Sequence, residues 1–556
     1  MKRTLSAAAL IASCSAFAYA QPAHVMVGMT GGDISTNGMT AAGAIYDAAQ
    51  AKYRIFRYVR GTGAIDTGAV LQGGSIRSSG DCLAISFDAY NDENFGGFGT
   101  TKLMAHRWDT THGSFNLGVH PNGSLCDYIN SASDTSRNGR YEIGSGWTQG
   151  GCGPYRGWIY DANTLSFTQL PASVSAPPIN ALALNTRADA VNGDGTVVVG
   201  YDENFNDTFT ATVRRATVWT NTAGVWAEKI LDVKGGVANG VNSLGNVVVG
   251  KMNSATMFST FGTTTTTPIK WTRSGSVWTP TNLGGTASMQ PVFVSDDGNT
   301  VVGLDNGIIW IWRPTINGGT PIYMDDYLTS VGALPPNMNT GTILGTPLHA
   351  MSEDGNAIEM SWLDSRNPCL TTGGVMITYL NGTTCEPARI SFSPVSQSIT
   401  TIPAFGIILN VFASGSWPLN YQWQKETAPG VWTDLVDDNC GVFDPTLFDV
   451  KAPTTNQLRL GGLSGIWAGN YRCTVTNSCG SVTSNVAVIA PPGPACYPNC
   501  DGSTTNPLLT ANDFQCFLNS YASGASYANC DGSTSVPALT ANDFQCFLNA
   551  YAVGCR

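Results

Sequence analysis

The sequence contains few charged residues and very few histidines. Charged side chains make up 12% of the 556 residues, the formal net charge is −11, and five histidines occur. An acidic chain without basic clusters argues against nucleic acid or an anionic membrane surface as a partner. Beyond residue 20, no apolar run approaches the ~20 residues of a membrane helix. The sequence therefore predicts no transmembrane segment.

The chain also lacks the short motifs of common catalytic sites, since G-x-S-x-G, H-E-x-x-H, G-x-x-x-x-G-K-[ST] and C-x-x-C are all absent. His106 lies beside Trp108 in an alternating segment, where a structural histidine is the favoured interpretation. Asp92-Glu93-Asn94-Phe95 recurs as Asp202-Glu203-Asn204-Phe205. A calcium- or sugar-binding rim is one interpretation, and a duplicated solvated loop is the favoured one. No catalytic residue is predicted.

Residues 1–20 predict a signal peptide. Lys2 and Arg3 precede a short apolar stretch that ends in Ala18-Tyr19-Ala20, which is a cleavage sequence. As an alternative, Ile11-Ala12-Ser13-Cys14 is similar to a bacterial lipobox, and lipidation of Cys14 would hold the protein at the cell surface. In both cases we expect a secreted protein. Its fifteen cysteines, fourteen without Cys14, then favour disulfide bonds.

Between residues 21 and 386 a unit of about 40–60 residues returns seven times. Each copy has an alternating segment, an Asx/Gly turn, a β-branched run and a short strand with an aromatic residue, as in ADAVNGDGTVVVGY…RRATVWT (188–220). Asn-Gly and Asp-Gly pairs tolerate the positive φ of tight hairpins. We predict a seven-bladed β-propeller, with an irregular pair of β-sandwiches or a solenoid as the alternative. The glycines assigned to the turns are Gly38, Gly80, Gly139, Gly195, Gly245, Gly298 and Gly355.

These copies resemble the HAF-type extracellular repeat, through the pattern A-x-x-V-x-x-x-G-x-V-V-V-G followed by A-x-x-W. The resemblance implies an extracellular protein and no particular activity. Cys126 and Cys152 flank the third hairpin, and Cys369 and Cys385 flank the last strand of the seventh copy. Local disulfides within each pair are the expectation, and Cys82 has no evident partner.

Residues 387–490 predict an immunoglobulin-like β-sandwich. Trp423 occupies the position of the buried strand C tryptophan, and Tyr471 lies two residues before Cys473, which is the tyrosine-corner spacing. The segment resembles bacterial immunoglobulin-like domains. Its strand B, residues 407–413, has no cysteine, so the inter-sheet disulfide of antibody domains is not expected.

The cysteines of this second domain are odd in number. Cys440, Cys473 and Cys479 leave one thiol that is free or paired with Cys82. No exposed site is evident in the sequence, so a spacer is the favoured role, with glycan or protein binding as the alternative. Residues 491–495 are predicted to be a linker.

The carboxyl end repeats one sequence almost unchanged. NCDGSTTNPLLTANDFQCFLN (499–519) returns as NCDGSTSVPALTANDFQCFLN (529–549). Each copy has a loop rich in oxygen-bearing side chains, followed by a segment whose apolar residues recur at i, i+3, i+4 and i+7. This spacing predicts one apolar helix face. In the first copy the apolar residues are Phe514, Phe517, Leu518 and Tyr521.

Residues 496–556 resemble the GC-type dockerin module, through the N-C-D-G-S-T opening and the closing Gly554-Cys555. The resemblance implies a small α-helical module with two EF-hand-type loops that hold two calcium ions through oxygen ligands. Each loop has an insertion and only two carboxylates, which suits millimolar calcium. The implied ligands are Asn499, Asp501, Ser503, Leu508 (carbonyl), Thr510 and Asp513 in the first loop, and Asn529, Asp531, Ser533, Ala538 (carbonyl), Thr540 and Asp543 in the second.

Cysteines lie at the second position of each loop and in the first turn of each helix. We hypothesise the bonds Cys500–Cys516 and Cys530–Cys546, which would join each loop to its helix, with Cys496 and Cys555 closing the ends. A module of about 60 residues has little core, so disulfides and metal are expected to contribute to its stability. A calcium-free, disulfide-bonded helix pair is the alternative.

Together these features predict a mainly β, multidomain protein: propeller, immunoglobulin-like sandwich and dockerin-like module. The favoured function is a secreted, non-catalytic protein whose propeller binds an extracellular polysaccharide or protein. Its dockerin-like module would attach it to a cohesin-like domain or another surface protein. The alternatives are a polysaccharide-degrading glycoside hydrolase or lyase, and a structural surface-layer component. Asp, Glu, Tyr or His side chains clustered at the mouth of the axial channel would favour the enzyme.

Overall fold

The computed structural model of the chain is mainly β, as predicted. Among the described residues, the α-helices are α1 (Met324–Ser330), α2 (Ala511–Ala522) and α3 (Ala541–Val553), and none of them has the length and apolar character to cross a membrane. The structure describes residues 21–27, 29–47, 52–71, 73–91, 102–117, 129–147, 155–172, 185–205, 212–232, 235–253, 266–331, 334, 338–339, 348–364, 372–398, 407–436, 449–451, 454–461, 467–490, 497–501, 509–531, 533, 537 and 539–554. The predicted signal peptide lies outside these ranges.

Within the described ranges, the strands up to residue 383 form the seven four-stranded blades of a propeller, and a short parallel pairing of residues 103–104 with 129–130 joins blades 2 and 3 into one sheet. Six blades take their strands in chain order, and the seventh adds the N-terminal strand as its outermost member. The strands are β1 (Gln21–Val27); β2 (Met29–Ile34), β3 (Thr40–Asp47), β4 (Lys52–Val59) and β5 (Gly63–Leu71) in blade 1; β6 (Gly73–Ser78), β7 (Ala84–Asn91), β8 (Lys102–Asp109) and β9 (Gly113–Asn116) in blade 2; β10 (Ile129–Thr135), β11 (Tyr141–Trp147), β12 (Tyr155–Asp161) and β13 (Ser166–Gln169) in blade 3; β14 (Thr186–Val191), β15 (Val197–Phe205), β16 (Thr212–Thr222) and β17 (Val225–Ile230) in blade 4; β18 (Gly236–Val241), β19 (Val247–Asn253), β20 (Thr266–Ser274) and β21 (Val277–Asn282) in blade 5; β22 (Met289–Val294), β23 (Val301–Asp305), β24 (Ile308–Trp312) and β25 (Ile322–Tyr323) in blade 6; and β27 (Leu348–Met351), β28 (Ala357–Asp364) and β29 (Thr372–Thr383), with β1, in blade 7, where β26 (Met338–Asn339) also pairs with β28.

The hairpin between the first two strands of each blade has one repeated construction. A buried serine or asparagine begins the turn, and its side-chain oxygen accepts a hydrogen bond from the amide five residues later at 2.8–3.0 Å. In blade 7, Ser352 Oγ accepts from the Ala357 amide at 2.8 Å and donates to Asp354 at 2.6 Å. The side chain thus satisfies a buried amide that the bend leaves without a strand partner. The residues at this position are Ser35, Ser79, Ser136, Asn192, Asn242, Ser295 and Ser352.

The predicted turn glycines take a left-handed conformation at six of the seven hairpins, with φ between +67° and +78°. The assignment of Gly80 is wrong. Cys82, with φ +55°, takes the left-handed position of blade 2, and Gly80 lies two residues earlier. Gly80 permits a close approach between blades, because a Cβ there would come within 2.4 Å of Thr36 Oγ1. The six glycines are Gly38, Gly139, Gly195, Gly245, Gly298 and Gly355.

A closed circle of hydrogen bonds joins the seven hairpins, and we call it the hairpin circle. At each turn a backbone amide donates to the hairpin of the following blade. The circle closes where the Glu353 amide of blade 7 donates to the Thr36 carbonyl of blade 1 at 3.2 Å. The spacing of each blade is therefore fixed by its neighbours. The other links are Thr36 N to Gly80 O, Gly80 N to Arg137 O, Asn138 N to Gly193 O, Gly193 N to Ser243 O, Ser243 N to Asp296 Oδ1 and Asp296 N to Glu353 O.

The aromatic residue of the repeat packs between blades. Trp158, Trp219, Trp271 and Trp310 lie in the third strands of blades 3 to 6 and are fully buried. Trp271 of blade 5, for example, shares a hydrophobic cluster with Val199 of blade 4. Truncation of a buried tryptophan costs about 3–5 kcal/mol, so these rings are a main apolar contribution to the stacking of the blades.

The N-terminal strand β1 closes the ring. It pairs antiparallel with β29 of blade 7, with Val25 opposite Met376. On its other edge β1 pairs with β33 (Phe412–Ser416), which in turn pairs with β30 (Arg389–Phe392). The sheet of blade 7 therefore continues into the segment predicted to be the immunoglobulin-like domain.

The immunoglobulin-like sandwich has the two features that the sequence predicts. Trp423 is fully buried and its Nε1 donates to the Thr455 carbonyl at 2.9 Å. Tyr471 is also fully buried, and its hydroxyl donates to the Trp467 carbonyl at 2.6 Å, which is a tyrosine corner. One sheet contains β31 (Gln397–Ser398), β34 (Asn420–Ala428), β35 (Val431–Asp434), β38 (Gly469–Asn477), β39 (Gly480–Thr483) and β40 (Ala487–Ala490), and the other contains β32 (Ile407–Asn410), β36 (Asp449–Lys451) and β37 (Gln457–Gly461).

The C-terminal module consists of two equivalent halves that pack on each other. Phe517 of α2 stacks on Phe547 of α3, with ring centroids 4.0 Å apart and an interplanar angle of 14°. Tyr497 and Tyr527 stack 4.9 Å apart, and each hydroxyl donates to the carbonyl of the other residue. Each residue therefore contacts its own counterpart in the other copy, as in an isologous dimer interface. This pseudo-twofold packing explains the repetition of the sequence.

The disulfides of the module are the ones predicted, since Cys500 bonds Cys516 and Cys530 bonds Cys546. The local bridge predicted for Cys385 is wrong, because Cys385 bonds Cys479 of the immunoglobulin-like domain. Sequence spacing favoured a neighbour within the seventh copy, whereas the fold brings β29 next to the β38–β39 turn.

The remaining cysteines divide into two groups. Cys82 and Cys473 are buried free thiols, so Cys82 is not the partner of a second-domain cysteine that the sequence analysis considered. The predictions for Cys126, Cys152, Cys369, Cys440, Cys496 and Cys555 fall on residues outside the described ranges.

Replacing Ser352 by alanine tests the hairpin construction. The substitution removes the acceptor of the buried Ala357 amide, so we expect a loss of about 1–3 kcal/mol in the free energy of unfolding. Urea denaturation followed by tryptophan fluorescence measures it. The control is Ser114→Ala on the exposed side of β9, with an expected change within about 0.5 kcal/mol. Equal effects of the two substitutions would contradict this account.

Candidate functional site

The propeller axis contains a cavity of about 100 Å³ to which the inner strand of every blade contributes. Its lining combines charged and neutral polar side chains with small or apolar ones. We call this the axial cavity. Its charged lining residues are Asp33, Arg77, Asp134, Arg137, Asp189 and Glu353.

Two carboxylates of the axial cavity join neighbouring blades. Asp33 Oδ1 accepts from its neighbouring Ile34 amide, and Oδ2 accepts from the Ser78 amide of blade 2, both at 2.8 Å. Asp134 makes the equivalent contacts between blades 3 and 4. Its Oδ1 accepts from the Thr135 amide and its Oδ2 accepts from the Val191 amide, both at 2.9 Å. Burial raises the pKa of Asp134 to about 6. Both oxygens of each carboxylate are therefore engaged within the ring.

Arg137 crosses the axis. From blade 3 its guanidinium donates to the carbonyls of Ile34 in blade 1 at 3.0 Å and Met351 in blade 7 at 3.4 Å. It also lies 3.5 Å from Asp33 Oδ1. A planar guanidinium has several donors in a fixed geometry, so one side chain can connect three blades.

Asp189 differs from the other two aspartates because its partner is an arginine of its own strand. Arg187 Nε lies 2.7 Å from Asp189 Oδ1, and the Arg187 side chain is 52% exposed. Burial raises the pKa of Asp189 to about 6, against the opposite effect of the arginine. Burial thus raises the pKa of Asp189 and of Asp134 alike to about 6, and Asp189 differs in that its partner is a half-exposed arginine side chain and not a pair of backbone amides.

Two further titratable groups lie at the junction of blades 7 and 1. Glu359 is fully buried, and its Oε1 accepts from the Gly32 amide at 3.4 Å. Burial, then the nearby Asp33, raise the pKa of Glu359 to about 8. His349 makes a 2.7 Å hydrogen bond with Ser361, and burial lowers its pKa to about 4. Both side chains are therefore uncharged near neutral pH, which reduces the cost of burying them.

The acidic tetrapeptide of the sequence analysis is part of a strand where the structure describes it. Asp202 and Glu203 lie in β15 and form ion pairs with Arg215 and Arg214, respectively. Asn185 donates to Glu203 at 2.7 Å. These carboxylates are buried and engaged, and do not form an exposed rim. The first copy, residues 92–95, lies outside the described ranges.

His106 has the structural surroundings that the sequence favoured. Its Nδ1 lies 3.0 Å from the Met104 carbonyl, and its ring stacks on Phe87 with centroids 5.6 Å apart. Burial lowers the pKa of His106, so the neutral form is favoured.

The second candidate site is the pair of loops in the C-terminal module. Asp513 is fully buried, its Oδ1 accepts from the Asp501 amide at 3.1 Å, and its Oδ2 accepts from the Thr510 amide at 2.7 Å. Asp543 has the same distances to the amides of Asp531 and Thr540. Each carboxylate thus caps its helix and fixes the loop against it, as in a capping box.

One buried side-chain oxygen of the second loop fits a calcium site, because no described group of the protein donates to it. Asn529 Oδ1 is buried and has no hydrogen-bond partner within the described part of the chain, while its Nδ2 donates to the Ser533 carbonyl at 2.8 Å. A buried amide oxygen without a donor is costly, and a cation is a suitable partner for it. The predicted ligands Ser503, Leu508 and Ala538 lie outside the described ranges. Within those ranges, no group of three or more His, Cys, Asp or Glu side chains is placed to hold a metal ion.

Sequence reasoning missed Asp33, Asp134 and Arg137. A signal was present for the two aspartates, since each lies two residues before the hairpin serine. It also missed Tyr497 and Tyr527, although each tyrosine lies three residues before the loop cysteine of its copy. The contacts of Arg137 join three distant blades and leave no local pattern in the sequence.

Comparison with known proteins gives similarity to propeller structures. No family model matches the chain, and no curated protein matches it. Among solved structures, the β-propeller domain of the Trilobed protease from Pyrococcus furiosus has 10% identity over 64% of this chain and 95% of that one, with a TM-score of 0.39. TolB from Acinetobacter baumannii has 12% identity over 52% and 64%, with a TM-score of 0.32. Pyrococcus horikoshii acylaminoacyl peptidase has 10% identity over 68% and 59%, with a TM-score of 0.37.

The chain thus spans about three fifths of the TolB and peptidase structures. The assignment of a β-propeller rests on the sheets of this chain. The GC-type dockerin and HAF-type similarities remain resemblances in sequence.

Glu359→Gln tests the buried carboxyl. A carboxyl whose pKa rises on folding, here from 4.5 to about 8, contributes stability that is full below pH ~4.5 and is lost as the pH rises to about 8. The amide does not titrate. Relative to the variant, the unsubstituted protein should lose up to about 1.4 kcal/mol per pH unit across this window. Urea denaturation between pH 5 and 8 measures the difference, with exposed Asp434→Asn as control. Parallel pH profiles for Glu359→Gln and the unsubstituted protein would refute the assignment.

Proposed function

We propose that this chain is a secreted, non-catalytic modular protein whose propeller binds an extracellular polysaccharide or protein. The observation that carries the proposal is the engagement of both carboxylate oxygens of Asp33 and Asp134 by backbone amides. Hydrolysis or elimination on a polysaccharide needs carboxyl groups that face the substrate. Carboxylates that hold two blades together serve the ring, so binding is the better supported role of the propeller.

A polysaccharide-degrading enzyme is the second candidate function. One observation favours it. The axial cavity contains Asp189, whose pKa burial raises to about 6 and whose ion-pair partner Arg187 has a half-exposed side chain. The axial lining also includes Glu353, which accepts a hydrogen bond from Thr36 at 3.3 Å. A glycoside hydrolase acts through two carboxyl groups on opposite sides of the scissile bond. Screening for turnover separates the two candidates.

The C-terminal module would attach the protein to a surface partner, such as a cohesin-like domain. In this proposal two calcium ions are held by the ligand sets implied by the dockerin resemblance. Asn529 is the described side chain most directly concerned, because its buried Oδ1 has no donor in the described part of the chain. Both oxygens of Asp543 already accept from backbone amides, and this carboxylate holds the loop against the helix. A bound cation would supply positive charge between the loop and the first turn of its helix. Cys530–Cys546 holds the same two segments together covalently.

Asp543→Asn tests the calcium proposal. Loss of one of two carboxylates should abolish binding at the second loop, so calorimetry on residues 21–556 should show one calcium ion where the unsubstituted protein binds two. The expected dissociation constants are about 10⁻⁴–10⁻³ M. Asn542→Ala changes the exposed neighbour in the same helical turn and should keep both sites. Absence of calcium-dependent heat from the unsubstituted protein would remove the metal from the account.

A panel of soluble and insoluble glycans tests the role of the propeller. The chain from residue 21 to 556 is incubated with each glycan, and both bound protein and released reducing ends or unsaturated products are measured. Binding without product is expected. Turnover that Asp189→Asn abolishes and Asp202→Asn retains would establish the enzyme instead.

A further inference from the structure

The ring has one seam, between blades 7 and 1, where its last blade is completed by the first strand. Strand β1 is paired on both edges there. On one side His24 lies opposite Ile377 of β29, and on the other side Val25 lies opposite Gly415 of β33. A terminal strand that is paired on one edge alone tends to fray and exposes a free edge. Here the second edge is covered by a strand that follows the propeller in sequence.

The segment that includes β30 extends this cover to blade 1. Phe392 packs edge-on against Phe56 of blade 1 with ring centroids 5.0 Å apart, and against Phe412 of β33 at 5.8 Å. Ser391 Oγ accepts from the Ala64 amide of blade 1 at 3.1 Å. The same short strand therefore joins blade 1 to β33, the strand that pairs with β1.

An ion pair with a buried arginine lies at the same place. Arg60, which follows β4 of blade 1, has a side chain that is 4% exposed, and its Nε lies 3.3 Å from Glu386 Oε1. Its Nη2 donates to the Thr384 carbonyl at 3.0 Å, and its guanidinium lies 4.9 Å from the ring centroid of Tyr379 in blade 7. Arg60 thus connects blade 1 to the end of blade 7 and to the segment that leaves it. Removing Glu386 would leave the buried Arg60 guanidinium without its ion-pair partner.

The immunoglobulin-like domain is attached to this segment covalently and by hydrogen bonds. Cys385 is bonded to Cys479, which lies in the turn after β38. Asn477 of β38 donates through Nδ2 to the Glu386 carbonyl at 2.7 Å and to the Ser416 carbonyl at 2.9 Å. One amide group therefore holds both the segment after β29 and the end of β33.

We infer that the immunoglobulin-like domain is a clasp that keeps the propeller ring closed at its seam. Strand β33 holds β1, the segment 384–392 spans blades 7 and 1, and the bond Cys385–Cys479 with Asn477 fixes that segment to the domain. Opening the seam requires all of these contacts to separate together. Under this inference the domain has a structural role in the ring, in addition to the spacer role that the sequence favours.

The test is the double variant Cys385→Ser/Cys479→Ser in the chain 21–556. Amide hydrogen exchange followed by mass spectrometry compares peptides that cover residues 23–27 with peptides that cover residues 197–205 of blade 4. Exchange in residues 23–27 should be at least about tenfold faster than in the unsubstituted protein, because local opening no longer has to overcome the cross-link. Exchange in blade 4 should be unchanged. The control Cys500→Ser/Cys516→Ser removes a disulfide of the C-terminal module and should leave both peptides unchanged.

A second variant keeps the disulfide. Asn477→Ala removes the hydrogen bonds to Glu386 and Ser416 and should accelerate exchange in residues 23–27 in the same direction, which provides the test if the double cysteine variant does not fold. Unchanged exchange of β1 in the folded variants overturns the inference. Equal acceleration in β1 and in blade 4 overturns it as well, because it would indicate general destabilisation.

Discussion

Closure of the propeller ring is the constraint on which the rest of the structure depends, and one visible part of it is the hydrogen bond from the Glu353 amide to the Thr36 carbonyl. This bond completes the hairpin circle, and the circle sets the spacing of all seven blades. No blade can bury both of its faces alone, so the tryptophans between the sheets contribute their full apolar energy only when every blade has two neighbours. Ring closure thus converts seven weak sheets into one stable body.

The same constraint explains the chemistry of the axis. Inner strands that converge on one line bring polar backbone groups and charged side chains together away from water, and each needs a partner. Asp33 and Asp134 satisfy amides of the adjacent blade, and Arg137 satisfies carbonyls across the axis. In the C-terminal module, each half likewise buries the apolar face of the other, through the stacked rings of Phe517 and Phe547.

Local sequence patterns predicted the local parts of this structure. Turn residues and β-branched runs gave the seven hairpins, Trp423 and Tyr471 marked the sandwich, and doubled cysteines marked the two loop–helix bonds. The assignment of Gly80 to the turn is wrong because Cys82 adopts the left-handed conformation there, whereas a glycine adopts it in the other six hairpins. The pairing of Cys385 could not be predicted, because nothing in a strand specifies which distant strand lies beside it. The axial cavity depends on the same long-range pairing, so its geometry was beyond the reach of the sequence.

Native-state hydrogen exchange on the unsubstituted chain tests most directly whether the ring is closed through its axis. The amides of Glu353, Ser78 and Val191 belong to the links that join blade 7 to 1, blade 1 to 2 and blade 3 to 4. If the ring opens only by global unfolding, all three should exchange with the same free energy as the slowest amides of the propeller. Exchange of the Glu353 amide through a separate, lower-energy opening would contradict the central claim that the seam is as firmly closed as the other junctions.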